Sequence, residues 1–181
     1  AKSIISLPTG AGKTRIAVEA YVEFLRPRFS EHKYLIWIAQ SEELCEQAVS
    51  TFHHIWRDKE FTESLRIYRV FGNHSLDIEN MIGGVAVCSI NKLYNAIGTD
   101  PSDVAVELIK NCGACIIDEA HRAVTKMYNR IYELGKSIRG DEMFPICGLT
   151  ATPGRGDDCT KLPSFFRYQL ETPSLPKIYV N

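Results

Sequence analysis

Apolar residues in this chain recur in two rhythms, and the alternation between them predicts its elements. The short apolar run Ser3-Ile4-Ile5-Ser6-Leu7 predicts a strand. Ile16, Ala17, Ala20, Tyr21, Phe24 and Leu25 then recur at three-to-four spacing, with Glu19 and Glu23 on the opposite face. That spacing predicts a helix over residues 12–26, ended by Pro27. Residues 34–39 (Tyr-Leu-Ile-Trp-Ile-Ala) are unbroken in their apolarity, as in a strand covered on both faces. Ser41 reads as an N-cap with Glu42 and Glu43 in the first turn, opening a helix whose buried stripe is Leu44, Cys45, Ala48, Val49, Phe52 and Ile55.

The second half keeps the same alternation. A weaker strand is predicted at 65–70, a short apolar strand at 85–90 and the start of a helix at 92–97. Asp100-Pro101-Ser102-Asp103 is turn and cap chemistry for a helix reaching Lys110. Residues 114–117 form the next buried strand, and Met127, Tyr128, Ile131, Leu134 and Ile138 have helical spacing, with Gly140 near the stop. A strand over 144–149 runs into Thr150-Ala151-Thr152-Pro153, and from Gly154 onward Pro163, Pro173 and Pro176 break up the pattern. Strands alternating with helices imply an α/β fold, a mostly parallel central sheet with helices on both faces, in a single domain over residues 1–181. Ligands in such a sheet sit beyond the C-terminal ends of the strands, so the chemistry belongs where strands finish.

Composition changes this picture little. A net charge of −1 argues against a dedicated nucleic-acid-binding domain, though not against a binding face shared with another domain. The longest apolar runs are strand-sized, so no membrane span is expected, and no secretory leader stands at the N-terminus. Of six cysteines, Cys112-Gly-Ala-Cys115 has the spacing of a zinc half-site, but no second pair completes a four-ligand set. No structural zinc is expected, and reduced thiols imply a reducing, cytoplasmic compartment, or the nucleus in a eukaryote.

Two strand ends carry the candidate chemistry. Leu7-Pro8-Thr9-Gly10-Ala11-Gly12-Lys13-Thr14 joins a strand to a helix, and its glycines let backbone N–H groups curl toward one spot at the helix N-terminus. Lys13 would supply charge to the β/γ-phosphates of a nucleotide and the Thr14 hydroxyl would ligate Mg²⁺. The pattern G-x-x-x-x-G-K-[ST] is one residue short, because Leu7 occupies the place of the first Gly. Asp118-Glu119-Ala120-His121 directly follows the strand at 114–117. An acidic pair there suits Asp118 to hold Mg²⁺ and Glu119 to orient and deprotonate an attacking water.

Pro8 to Thr14, Asp118 to His121 and Leu149-Thr150-Ala151-Thr152-Pro153 resemble motifs I, II and III of superfamily-2, DEAH-box-like helicases and translocases, in the right order. The resemblance covers nearly the whole chain, matches the first RecA-like P-loop NTPase domain of that superfamily, and accounts for Leu7, since Gly is not required there. It implies that Thr9, Gly10, Ala11, Gly12, Lys13 and Thr14 bind ATP and Mg²⁺, with Asp118 on the metal and Glu119 as general base. It also implies that His121 joins the catalytic set and that Thr150 and Thr152 couple nucleotide state to the nucleic acid. Gln40 and Ser41 resemble motif Ia, while Ser89 and Lys92 stand where the next backbone-binding motif lies. For these four an ordinary cap or loop role is the alternative.

The run from Asp118 to Arg122, the Thr-Ala-Thr of motif III, and Arg155 and Asp157 are similar to the DNA translocases of restriction enzymes and repair helicases, which favours DNA over RNA. The chain opens close to motif I and closes soon after motif III, so the expectation is a fragment whose second RecA-like domain, with its arginine fingers, is absent and which alone is near-inactive. An RNA helicase of the same superfamily and a non-catalytic, nucleotide-gated adaptor are the alternatives. A GTP switch is disfavoured, because Asn91-Lys92-Leu93-Tyr94 puts Tyr94 where the guanine-reading N-K-x-D needs Asp. His53-His54 reads as a surface pair, Trp37 and Trp56 as core or boundary aromatics. Phe165, Phe166 and Tyr168, beside Arg167, read as a packing surface or a base-stacking patch.

Overall fold

The computed structural model describes residues 2–8, 10–25, 27, 34–74, 81–120, 126–140, 145–151 and 168–171. In chain order the elements are β1 (Lys2–Ser6), α1 (Lys13–Leu25), β2 (Tyr34–Ala39), α2 (Glu42–Asp58), β3 (Ile67–Val70) and β4 (Gly84–Ser89). They continue with α3 (Ile90–Ile97), α4 (Asp103–Lys110), β5 (Cys112–Ile117), α5 (Lys126–Arg139), β6 (Ile146–Thr150) and β7 (Tyr168–Glu171). The strands form one seven-stranded sheet in the order β3-β4-β2-β5-β6-β1-β7, with every pairing parallel.

Period-two side-chain alternation divides the core into two layers. Tyr34, Ile36 and Ile38 of β2 pack with Ile90 and Leu93 of α3, Leu108 of α4 and Ile131 of α5. Leu35, Trp37 and Ala39 of the same strand face Val18 and Val22 of α1 and Val49 and Phe52 of α2. Helices thus cover both faces, which is why every residue of β2 and β4 is buried.

Several boundaries differ from the sequence expectation. Ile90 opens α3 rather than closing β4, because the Ser89 hydroxyl accepts the Lys92 N–H at 3.4 Å and caps the helix there. β5 begins at Cys112, ahead of the expected 114, through a register shift in which Tyr34 pairs with Cys112 and Leu35 with Ala114. β7 was not expected at all; it lies in the proline-broken tail and pairs along β1 from Ser3 to Ser6.

The five described cysteines, Cys45, Cys88, Cys112, Cys115 and Cys147, are buried and free. Burial pushes the Cys45 and Cys112 thiols up to about 12, so they stay protonated and inert. Among the described residues no cluster could hold a metal ion, and no helix is long and apolar enough to cross a membrane. Trp37 is fully buried edge-on to Phe52, Trp56 donates to the Glu63 carbonyl at 2.9 Å, and His53 and His54 are exposed. Tyr168 opens β7, whereas Phe165, Phe166 and Arg167 lie outside the described residues.

Candidate functional site

The loop after β1 starts as an extension of the sheet. The Leu7 N–H donates to the Thr150 carbonyl at 3.1 Å, continuing the β1–β6 ladder by one residue. Leu7 is therefore still extended and needs no left-handed backbone, which is the physical reason a leucine is tolerated there. The chain then turns, with the Ala11 N–H donating to the Pro8 carbonyl at 3.1 Å. Gly10 and Gly12 hold φ of 79° and 76°, a conformation that costs any residue with a Cβ. Nothing lies within 4 Å of where a Cβ would stand at either, so the space over the loop is open. Lys13 and Thr14, both half-buried, begin α1. Arg15 is tied to Glu19 at 3.1 Å on the outer face of that helix.

Asp118 stands at the end of β5, next to β6, and is only 6% exposed. Its N–H donates to the Ile38 carbonyl of β2 at 2.9 Å, and its Oδ1 accepts the Glu119 N–H at 3.0 Å. Burial raises its pKa above the usual carboxylate value, and the Glu119 charge adds to this. The Glu119 N–H and the Lys13 ammonium pull the other way. Lys13 and Asp118, more than a hundred residues apart in sequence, thus feel each other's charge across the strand ends. Glu119 has φ 51°, one of two non-glycine residues among those described with positive φ, and the Asp118 carboxylate braces that turn. Thr150 is fully buried at the end of β6. Thr9, His121 and Thr152, together with Arg122, Arg155 and Asp157, lie outside the described residues.

A second feature lies further along the same edge of the sheet. A cleft of ≈ 420 Å³ opens beyond β2, β3 and β4, and Gln40, Ser41, Ser89 and Lys92 all line it. Ser41 and Ser89 are N-caps of α2 and α3, accepting the N–H of Leu44 at 3.2 Å and of Lys92 at 3.4 Å. Lys92 is anchored on backbone, its Nζ donating to the carbonyls of Gly72, at 2.7 Å, and His74. The structure adds Glu42, Gly72, Asn91 and Asn95 to this lining. Asn91 and Asn95 carried a signal, being polar residues four apart on one face of a helix that opens at a strand end. Gly72 could not have been found from local pattern, because only the parallel β3–β4 pairing brings it there.

The chain is 31% identical over 157 residues to IRC3 of Saccharomyces cerevisiae, named as an ATP-dependent helicase, covering 84% of this chain and 20% of that protein. It is 28% identical to the ATP-dependent RNA helicase DHX58 of Mus musculus, over 88% of this chain and 23% of the relative. It is 26% identical to the ATP-dependent DNA helicase fml1 of Schizosaccharomyces pombe, over 83% and 17% respectively. The chain thus spans about a fifth of the length of the curated relatives it matches. Among solved structures, the Hef helicase domain of Pyrococcus furiosus superposes with a TM-score of 0.70 at 21% identity, over 94% of this chain and 35% of that one. The UvsW helicase of bacteriophage T4 gives 0.63 at 21% identity, over 94% and 54%. Residues 1–155 match the family described as type III restriction enzyme, res subunit, so the chain belongs to that family and carries its superfamily-2, RecA-like helicase domain.

Proposed function

We propose that residues 1–181 form one RecA-like domain that binds ATP and Mg²⁺ and serves as the first motor domain of a nucleic-acid-dependent ATP hydrolase, a helicase or translocase acting on DNA. The observation that carries this reading is that Asp118 and Glu119, after β5, and the glycine loop, after β1, lie at the same edge of the sheet with only β6 between them, close enough for the Lys13 charge to reach Asp118. The residues suit the ligand. Gly10 and Gly12 leave open space over a loop whose amides open a helix, and Asp118 is a buried carboxylate with a raised pKa, which a divalent cation would relieve.

In this reading Thr9, Gly10, Ala11 and Gly12 hold the phosphates with their backbone, and Lys13 neutralises charge that grows on the γ-phosphate. Thr14 and Asp118 would hold Mg²⁺, which would supply Lewis-acid charge when bound. Glu119, aimed by its left-handed backbone, takes the proton of the attacking water. His121 completes the catalytic set, and Thr150 and Thr152 pass the nucleotide state to the nucleic acid and to a second RecA-like domain carrying arginine fingers. The cleft beyond β2–β4 takes the sugar-phosphate backbone near Gln40, Ser41, Ser89 and Lys92, where two capped helix N-termini converge. Buried, reduced thiols support a cytoplasmic or nuclear setting.

In the full-length protein, Lys13→Ala should cut nucleic-acid-stimulated ATP hydrolysis by at least about a hundredfold, the scale of removing one transition-state donor. Unchanged turnover refutes the assignment. The DNA preference is supported by the Thr-Ala-Thr of motif III and by the likeness to fml1. The likeness to DHX58 favours RNA, so stimulation by DNA and by RNA of one length and sequence decides between them.

A further inference from the structure

Lys92 is the one cation lining the cleft among the described residues, and its ammonium is already engaged. It projects from the first turn of α3 to the loop that leaves β3, where Nζ donates to the Gly72 carbonyl at 2.7 Å and to the His74 carbonyl. An ammonium has three donors, so two are spent on main chain eighteen and twenty residues away. Glu42 of α2 lies against Gly72 from the opposite wall. The Glu42 carboxylate oxygen stands 3.2 Å from where a Cβ of Gly72 would be, and Gly72 has φ 56°, so a side chain there would be strained and would press on the Glu42 carboxylate. Gly72 thus lies between Glu42 of α2 and Lys92 of α3, with the Lys92 ammonium as the tie on one side.

Resting on the reading that this cleft takes a nucleic-acid strand, we infer that Lys92 is a positioning residue that fixes the cleft wall, and not a cation that meets a phosphate. Swinging Nζ onto a phosphate would strip two charge-assisted hydrogen bonds from these carbonyls, and Lys92 is the one cation among the described residues of the lining. The strand is then met by neutral groups, the side chains of Asn91 and Asn95 and the amides opening α2 and α3, while the Glu42 carboxylate repels phosphate. Neutral contacts release no condensed counterions, so the two roles of Lys92 differ in one measurable quantity, the dependence of affinity on salt.

The test is equilibrium binding of the full-length protein to a fluorescent oligothymidylate of about twenty nucleotides, by anisotropy, across roughly 50 to 300 mM KCl. Wild type, Lys92→Met and Asn91→Asp are compared, with thermal midpoints as the fold control. A positioning role predicts that Lys92→Met weakens binding several-fold at every salt concentration, with the slope of log affinity against log salt unchanged. A fall in the magnitude of that slope by about 0.7, the contribution of one neutralised phosphate on a single strand, overturns it. So does wild-type affinity in Lys92→Met when Asn91→Asp, which puts a carboxylate on the cleft floor, binds weakly. If neither variant alters binding, the cleft is not on the path of the strand and the underlying reading fails with the inference. Lys92→Gln, which removes the charge and keeps a donor, takes the place of Lys92→Met if the latter does not fold, and is read by the same slope.

Discussion

Asp118 sits where a carboxylate is expensive, 6% exposed and with its pKa raised chiefly by burial, while the Glu119 N–H and Lys13 only partly compensate. A side chain kept charged-capable at such a place weakens the fold in exchange for chemistry. Asp118→Asn keeps the Oδ1 acceptor that braces Glu119 and removes the buried charge. It should therefore raise the stability of the nucleotide-free domain at neutral pH by about 1 kcal/mol while abolishing hydrolysis. Calorimetric melting of the two proteins without nucleotide checks this; a lower midpoint in the variant would show that the carboxylate contributes more to folding than its burial costs. The sign follows from linkage. An acid whose pKa is raised in the folded state binds its proton more tightly there, so the stability it contributes fades as pH rises through the window above 3.8.

At the scale of elements, three helices open on serine caps, Ser41, Ser89 and Ser102, each accepting the N–H of the third residue onward. Two of these caps lie in the cleft, so the same hydroxyls that start α2 and α3 set its floor. The approach of β3 to β4 depends on Gly84. The Arg66 carbonyl accepts the Val85 N–H at 2.9 Å, and a Cβ on Gly84, whose φ is +134°, would stand 2.4 Å from that same oxygen. Gly84→Ala should destabilise the domain by about 2 kcal/mol or more, through strain at a backbone that only glycine adopts readily. Urea denaturation monitored by Trp37 and Trp56 fluorescence measures it, and a loss below half that size would mean β3 can shift freely. Because this strand pair carries Gly72, the variant should also disturb the cleft more than the glycine loop after β1.

For the whole molecule, the consequential pairing is β7 beside β1. Without β7, β1 would be the edge of the sheet, presenting Ser3 to Ser6 as an unpaired ladder immediately before the glycine loop. Ending the chain at residue 167 should lower the thermal midpoint by about 5 °C, the loss of one short ladder in a domain of this size, and promote self-association. Scanning calorimetry with light scattering checks both; a midpoint and mass unchanged from the longer chain would show that β1 does not depend on that partner.

What could be read from the chain by itself was local. Continuous apolar runs marked β2, β4 and β5, three-to-four spacing marked α1, α2 and α5, and Ser41 and Ser102 announced two of the three serine caps, because these patterns need only neighbouring residues to act. The order of the glycine loop and the Asp118-Glu119 pair was equally legible, since each follows directly on a strand. Non-local pairing decided the rest. The four residues of β7, Tyr-Gln-Leu-Glu, alternate apolar and polar but are too few to mark a strand by themselves, and they become one by pairing along the free edge of β1. The bulge that draws Cys112 into β5 exists only against Tyr34. Lys92 carries a charge that, by sequence, could as well meet a phosphate; its assignment to two carbonyls of a distant loop comes from the parallel sheet that brings β3, β4 and α3 to one edge.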